Sequence, residues 1–480
     1  MDADPLDAEP RPGRPVVTPA EMAAIDADAP EPVEVLIERA GWAVARSARR
    51  LLAATAHART SGARILVVAG KGNNGADGRS AARHLAAAGG AVDIIGPGDG
   101  VPPGRRCDLV IDAAFGTGFR GTYDGPAVGD VPVLAVDIPS GVDGSTGAAP
   151  GAPLPATATV TFAAPKPGLL FEPGRSLAGP VEVADIGLDC SRARIWLLDE
   201  VDVLRHWPRR RPTDHKWRRA VWVVGGGPGM DGAPGLAAAA TARAGAGYVA
   251  VSIPGAERPG PSLPVESVYR PVAGAWAATV IDDGDRFASF VLGPGLPADD
   301  LTGIEVRSVV AATGDRGVVC DGGAIDAVAA DPTVLDGRDV PAVLTPHDGE
   351  FARLVGRAPG PDRIDDVRRA AAELGAVIVA KGPTTVVAHP DGRVLVSAAG
   401  DARLATAGTG DVLAGIVGAG LAGGLDPFLA GGLAAELHAR AACRGRDVGL
   451  IASDLPPLVA DVLSGDPRRV DRASDDRGRR

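Results

Sequence analysis

Aromatic residues are scarce: eight Phe, six Trp and three Tyr make up 4% of the 480 residues. Any core must therefore be assembled mainly from Ala, Val and Leu. Cysteine is scarcer still. Cys107, Cys190, Cys320 and Cys443 stand far apart, with neither metal-ligand spacing nor a disulfide framework, a pattern suited to a reducing compartment. The seven histidines show no paired ligand spacing. Positive charge is short as well. Lys and Arg number 49 against 60 Asp and Glu, a net charge of −11 that disfavours nonspecific binding to nucleic acid or an anionic membrane. Long apolar runs are missing. The most apolar stretch, Val412 to Ala435, is dense in glycine and interrupted at Asp426-Pro427, so a broken core helix is expected rather than a membrane span. The first residues lack a basic region followed by an apolar run, so no secretory leader is expected. A cytoplasmic protein is the reading these absences favour.

What is abundant is punctuation: 66 Gly and 42 Pro predict many tight turns. The length suits two to three domains. Residues 1–17, rich in Asp, Pro and Arg, and the mixed-charge stretch 466–480 are expected to be flexible tails. Between them lie two blocks of alternating short apolar strands and alanine-rich helices, spanning 18–200 and 213–465. The join falls near 190–214, with Arg209-Arg210-Arg211-Pro212 as an exposed crossing. In the first block, helices are predicted at Glu21–Ile25, Val33–Arg49 and Asp77–Ala88. Strands are predicted at Arg64–Ala69, Ala91–Ile95, Leu109–Asp112 and Val133–Asp137. In the second, strands fall at Arg219–Val224, Tyr248–Ile253, Phe290–Leu292, Gly317–Cys320, Val340–Leu344 and Ala376–Ala380. Helices fall at Gly235–Ala244, Asp362–Leu374 and Asp411–Ala422. Such alternation implies parallel sheets covered by helices, an α/β class with two three-layer α/β/α domains.

In the first block, Gly70-Lys71-Gly72-Asn73-Asn74-Gly75-Ala76-Asp77-Gly78 follows a strand and opens a helix. Glycine-rich turns at helix N-termini suit phosphate. The run also satisfies G-x-G-x-x-G, with Asp93 after the next strand, so a common dinucleotide fold is one reading and a plain glycine turn another. Asn73, Asn74 and Asp77 can hold ribose hydroxyls or a hard cation, or can simply cap and turn. Asp112 and Asp137 end two further strands, ahead of Gly116-Thr117-Gly118-Phe119-Arg120-Gly121-Thr122 and Ile138-Pro139-Ser140-Gly141. Ligands of open α/β sheets collect at such carboxyl ends.

With Thr161 through Gly168, Glu21-Met22, Ile25-Asp26 and Glu38-Arg39-Ala40-Gly41, these motifs resemble NAD(P)H-hydrate epimerase over roughly 18–190. The resemblance implies a Rossmann-like fold and contacts to a hydrated nicotinamide nucleotide from Asn73, Asn74, Gly75, Ala76, Asp77, Gly116, Thr117, Gly118, Phe119, Arg120, Gly121, Thr122 and Asp137. It implies potassium held by Asn74, Asp112 and Ser140, and makes Asp137 the acid/base candidate. Family members usually carry glycine where this chain has Ala76.

In the second block, Ala405-Thr406-Ala407-Gly408-Thr409-Gly410-Asp411 opens a helix. Glycines there leave N–H groups free at a positive helix end, and Asp411 beside them can take a proton from a substrate hydroxyl; a helix N-cap is the plainer reading. Lys381-Gly382-Pro383-Thr384-Thr385 follows a buried strand, where Lys381 is either a phosphate contact or a solvated turn residue. His347 is either a substrate contact or an exposed side chain, and Glu350 either pairs with an arginine or faces water. No G-x-x-x-x-G-K-[ST] occurs, which argues against a P-loop NTPase. With Thr345-Pro346-His347, Glu350-Phe351 and His215-Lys216, the block resembles the ribokinase-like fold, and within it ADP-dependent NAD(P)H-hydrate dehydratase. That resemblance implies hydrated-nucleotide contacts at Ala233, Gly295, His347 and Asp411. It implies AMP contacts at Lys381, Gly382, Pro383, Thr384, Thr385 and Gly410, with Asp411 catalytic, ADP as phosphoryl donor and magnesium as its companion ion. The pairing implies a bifunctional isomerase and lyase for hydrated NADH and NADPH, a homo-oligomer with no nucleic-acid or membrane partner. The alternative is a ribokinase-like small-molecule kinase fused to a dinucleotide-binding domain.

Overall fold

The structure, a computed structural model, describes residues 12–54, 59–101 and 106–467. It divides into two compact units, 14–195 and 196–467.

The first unit is built on a six-stranded, wholly parallel sheet. Its order is Ala91–Ile95, Arg64–Ala69, Leu109–Ala113, Val133–Val136, Ala158–Phe162 and Val181–Ala184. The last two strands were not anticipated. Side chains alternate across the pleat. Ile65, Val67 and Ala69 meet Ala40, Val44, Ala48 and Leu52 of the helix Val33–Ala53, and Ala81, Ala82 and Leu85 of the helix Asn73–Ala87. Leu66 and Val68 face the other way, onto Val110, Tyr123 and Leu154 with Phe115 and Phe119 beside them. Each fully buried Val or Leu contributes roughly 1.5–3 kcal/mol.

Two expectations need correction here. The helix expected from Asp77 begins at Asn73: Gly72 is its extended N-cap, and the Ala76 N–H closes the first turn on Gly72 O at 3.0 Å. Asn73 to Asp77 are therefore helical, not loop. The stretch 1–17 is not a tail throughout. Residues 1–11 lie outside the described residues, as do 468–480, but Arg14–Val16 form a strand. Val16 and Val17 are fully buried, and the Val17 N–H donates to Pro165 O, as two adjacent β-branched apolar side chains favour.

In the second unit the strands run in the order Val394–Ser397, Thr385–Ala388, Val377–Ala380, Val343–Leu344, Gly317–Cys320, Ser289–Leu292, Ala220–Val224, Tyr248–Ser252 and Val268–Tyr269. All neighbours are parallel except the pairings made by Thr385–Ala388, which are antiparallel. One face is a Val, Ala and Leu core shared with the helices Gly232–Arg243, Thr409–Ala422 and Pro427–Arg444. Trp222, Phe287 and Phe290 cluster elsewhere, so the few aromatics are concentrated. The apolar stretch 412–435 is two helices, the second capped by Asp426 and started by Pro427. Among the described residues no helix is long and apolar enough to cross a membrane. Gly415 lets Thr409–Ala422 sit directly on its neighbour: a Cβ there would stand 2.2 Å from Ala237 O. That close approach brings the Gly408–Asp411 turn to the carboxyl edge of the sheet. The unit also starts earlier than residue 213. The helix Glu200–His206 and buried Trp207 belong to it, and exposed Arg209 and Arg210 donate to Leu463 O and Ala246 O.

Candidate active sites

The first unit holds a cavity of about 880 Å³. Asn73, Asn74, Asp77, Gly116, Thr117, Gly118, Phe119, Arg120 and Asp137 line it, together with Asp26 and Lys166. Gly75, Ala76, Gly121, Thr122, Asp112 and Ser140 are not among its lining residues. Gly75 instead packs on the turn: a Cβ there would stand 2.0 Å from Gly70 O.

Asp137 ends the strand Val133–Val136 with a φ of 67°, a left-handed conformation rare outside glycine. Such strain persists only where neighbours impose it. Its N–H donates to Val160 O, and its Oδ1 accepts from Thr161 Oγ1 at 2.9 Å and from Lys166 Nζ at 2.5 Å. Lys166 is 1% exposed and gives its other two bonds to Thr161 Oγ1 and Phe162 O. Asp77, on the first turns of the helix Asn73–Ala87, is buried. Burial, then the nearby Asp137 and Asp26 carboxylates, push its carboxyl up to about 8 against the pull of Lys166. Asp26, from the helix Pro19–Ala27, is also held above the usual carboxylate range, chiefly by desolvation.

Beneath Phe115, Asp112 and Ser140 are fully buried. Asp112 Oδ2 accepts the Ser140 N–H at 2.9 Å, while the Ser140 hydroxyl accepts from the Phe115 N–H and donates to Phe115 O. Burial raises the Asp112 carboxyl although Ser140 opposes this. The amide oxygen and nitrogen of Asn74 are buried without a hydrogen-bond partner. A buried amide in that state suits an oxygen-seeking ligand.

In the second unit three strand ends and two helices converge, bringing Asp321, Thr345 and Lys381 to Glu350 and Asp411. Lys381 Nζ lies 2.8 Å from Asp321 Oδ1 and 3.5 Å from Glu350 Oε2. Thr345 Oγ1 donates to Asp321 Oδ1 at 2.6 Å. Lys381 is thus no solvated turn residue. Burial pulls its ammonium down, but Asp321 and Glu350 outweigh that and hold it above the ordinary lysine range. Glu350 does not face water: it is buried, accepting the His347 N–H at 2.8 Å beside Lys381, and its charge also acts on Arg353. His347 caps the helix Asp348–Val355, its Nδ1 accepting from the Gly349 and Glu350 N–H groups, while its Nε2 lies 3.6 Å from Glu350 Oε1. Asp411 is the third residue of its helix, whose N-cap is Gly408. Burial and then Asp321, with Glu350 adding to it against Lys381, push Asp411 up to about 7. A Cβ on Gly410 would stand 3.2 Å from Lys381 Nζ, so the turn and the lysine adjoin. In the Lys381–Thr385 run, Gly382 and Pro383 are exposed, Thr384 is buried, and Thr385 starts the antiparallel strand. Ala233 and Gly295 lie together, 3.0 Å from Ala233 Cβ to a Cβ on Gly295. Leu236, on the same helix as Ala233, reaches Gly408.

Sequence reasoning had not assigned roles to Lys166, Asp26, Asp321 or Glu350. Lys166, Asp26 and Glu350 stood inside quoted motifs and Asp321 directly after the strand Gly317–Cys320, but the partners of Lys166 and Asp321 are distant in sequence.

Residues 221–463 match the family model described as NAD(P)H-hydrate dehydratase, and 33–102 and 97–168 match that described as YjeF-related protein N-terminus. The bifunctional NAD(P)H-hydrate repair enzyme Nnr of Moorella thermoacetica is 36% identical, covering 93% of this chain and 96% of its own. The enzymes of the same name from Mycobacterium leprae and Escherichia coli are 35% and 32% identical, covering 90% and 86% of this chain and 94% and 87% of theirs. Among solved structures, the ADP/ATP-dependent NAD(P)H-hydrate dehydratase from Bacillus subtilis, co-crystallized with ATP/Mg2+, is 27% identical. It covers 55% of this chain and 95% of its own at a TM-score of 0.47.

Proposed function

The chain belongs to the family of bifunctional NAD(P)H-hydrate repair enzymes, and on that premise we propose how its two units divide the work. The first unit epimerises the R and S hydrates of NADH and NADPH. The second dehydrates the S hydrate at the expense of ADP, releasing AMP and phosphate. The observation that carries this reading is that each unit sets an aspartate beside a buried lysine at the carboxyl edge of a parallel sheet, Asp137 with Lys166 and Asp411 with Lys381.

In the first unit, the nucleotide lies against Asn73, Asn74, Asp77 and Gly116–Arg120, the members of the two runs that line the cavity, and Asp137 moves the proton as the hydroxylated ring carbon inverts. Asn74, Asp112 and Ser140 hold potassium. The Asn74 amide, without a partner among the described residues, packs against Gly116, next in sequence to the Phe115 whose N–H donates to Ser140, and an unpartnered buried amide suits such a hard cation. When bound, that ion supplies a fixed positive charge near the nucleotide's phosphates.

In the second unit, Ala233, Gly295, His347 and Asp411 receive the hydrated nucleotide, while Lys381–Thr385 and Gly410 receive the AMP moiety. Asp411 accepts the proton of the substrate hydroxyl as that oxygen takes the phosphoryl group, and loss of phosphate together with a proton from the neighbouring ring carbon, released to solvent, then restores the dihydropyridine ring. Free N–H groups at the Gly408–Asp411 helix start stabilise the transferring charge. Magnesium, carried on the nucleotide, would supply charge neutralisation, and the carboxylates Asp321 and Glu350 beside Lys381 are the residues that would hold it. We place the enzyme in the cytoplasm as a homo-oligomer.

The test uses the purified chain with mixed-epimer hydrated NADH, with and without ADP, following the return of reduced-nicotinamide absorbance. Full recovery with ADP is expected. Recovery of only the S fraction would remove the epimerase half of the reading, and no recovery would remove both.

A further inference from the structure

Lys166 has three N–H donors and all are spent, on Asp137 Oδ1, Thr161 Oγ1 and Phe162 O. Three carboxyls, Asp26, Asp77 and Asp137, line the cavity around it. Among the described residues no hydrogen bond or ion pair reaches the carboxyl of Asp26 or Asp77. With all three ionised and one ammonium present, the local charge would be net negative in a largely desolvated space, a state that carboxyl clusters avoid by keeping a proton. Asp77 is the deeply buried member, at 7% exposed, whereas Asp26 is exposed.

Other neighbours do not alter this balance. On the helix Val33–Ala53, Leu36, Ile37 and Ala40 face the cavity without charge, and Glu38 is engaged with Ser80, Arg83 and His84. Asp112 faces Ser140, and Asp93 lines a separate small cavity with Arg64. Lys71 is exposed.

We propose that Asp77 is the second proton-transfer group of the first unit, entering the reaction as the neutral acid while Asp137 enters as the base. This rests on the epimerase reading. The bond between the ring carbon and its hydroxyl oxygen breaks with its electron pair leaving on oxygen. Asp77 gives that oxygen a proton, so water departs. The ring nitrogen's lone pair closes a C=N bond. Water then adds to the opposite face, the C=N pair returns to nitrogen, and Asp137 takes the proton of the adding water. One proton has passed from Asp77 to Asp137, and exchange with solvent through the open cavity resets both.

The test supplies the full chain with ADP and either pure R or pure S hydrate. NADH formed from R reports epimerisation; NADH formed from S reports the second unit alone and checks the fold. Asp77→Asn is expected to lower kcat from the R hydrate at least about a hundredfold, within the range for one general acid, with S-hydrate turnover little changed. Wild-type turnover of R is expected to fall above about pH 8. Asp77→Glu keeps a falling limb, and the residual rate of Asp77→Asn loses it. Wild-type turnover from R in Asp77→Asn, or a residual rate that keeps the alkaline limb, overturns the proposal while the epimerase reading stands. A wild-type chain that converts S but never R overturns both.

Discussion

Lys166 and Asp137 are joined through one carboxylate oxygen. Lys166 Nζ and Thr161 Oγ1 both donate to Asp137 Oδ1, and among the described residues no bond falls on Oδ2. One oxygen is thereby a fixed anchor, and the other is left for chemistry in the cavity that Asp137 lines. The same bonds hold the aspartate in its left-handed backbone conformation.

Removing the anchor should therefore have two effects. Lys166→Met leaves Asp137, Thr161 Oγ1 and Phe162 O without their shared donor. Breaking a buried pair from one side costs about 3–5 kcal/mol. We expect the lower end, about 3 kcal/mol, because Asp137 keeps some solvent contact. Urea unfolding of the variant measures it. Turnover of the R hydrate should fall with it, while turnover of the S hydrate persists. An unchanged unfolding midpoint would show that the anchor bears no load.

Asp411 sets a pH dependence of opposite sense to that of Asp77. Its carboxyl sits near 7 through burial and the facing Asp321. As a base it must be ionised, so S-hydrate turnover should rise with pH from 5 to 8, by about a hundredfold between pH 5 and full ionisation. The effect on folding has the other sign. Between the ordinary value of 3.8 and about 7 the folded chain holds this proton more tightly than the unfolded chain, so this group's contribution to stability falls as pH rises through that window. Asp411→Asn should abolish turnover and flatten that part of the stability profile. A pH-independent rate between 5 and 8 would remove Asp411 as the base.

Much of this was legible in the sequence, for local reasons. Arg64–Ala69, Ala91–Ile95 and Gly317–Cys320 are short apolar runs bounded by turn residues, and they form strands at those positions. Asp137 and Asp411 stood out because each follows a strand or glycine turn. The partnerships were not legible. Lys166 lies 29 residues from Asp137, and Lys381 lies 60 from Asp321, distances closed by strand order rather than by any local pattern. Thr385–Ala388 escaped notice because it follows the Lys381 turn directly, where the motif read as loop. The helix start at Asn73 was missed because two asparagines and a glycine are poor helix formers that tertiary packing overrode.

The Asn74 amide gives a cation test that does not depend on turnover. If potassium joins Asn74, Asp112 and Ser140, KCl should raise the thermal midpoint of the chain above that in tetramethylammonium chloride of equal ionic strength. Binding only the folded state stabilises it, by about 2.7 kcal/mol at a hundredfold excess over Kd. Asn74→Ala should erase the difference between the salts. A wild-type midpoint identical in both salts would argue that these three residues hold no cation.

Gly75 and Ala76 are neighbours whose substitution should have contrasting effects. A Cβ on Gly75 would stand 2.0 Å from Gly70 O and 2.7 Å from Gly70 N, backbone atoms that cannot swing aside. Gly75→Ala must push the helix start away from its turn, displacing Asn74 and Asp77 from the cavity wall. Turnover of the R hydrate should be lost and that of the S hydrate kept. Ala76 is different. It sits within the helix, its N–H bonded to Gly72 O, and is not among the cavity's lining residues. Ala76→Gly should cost about 0.5–1 kcal/mol through backbone freedom alone, with KM for the R hydrate unchanged. A lowered KM in that variant would mean that the methyl does meet the ligand.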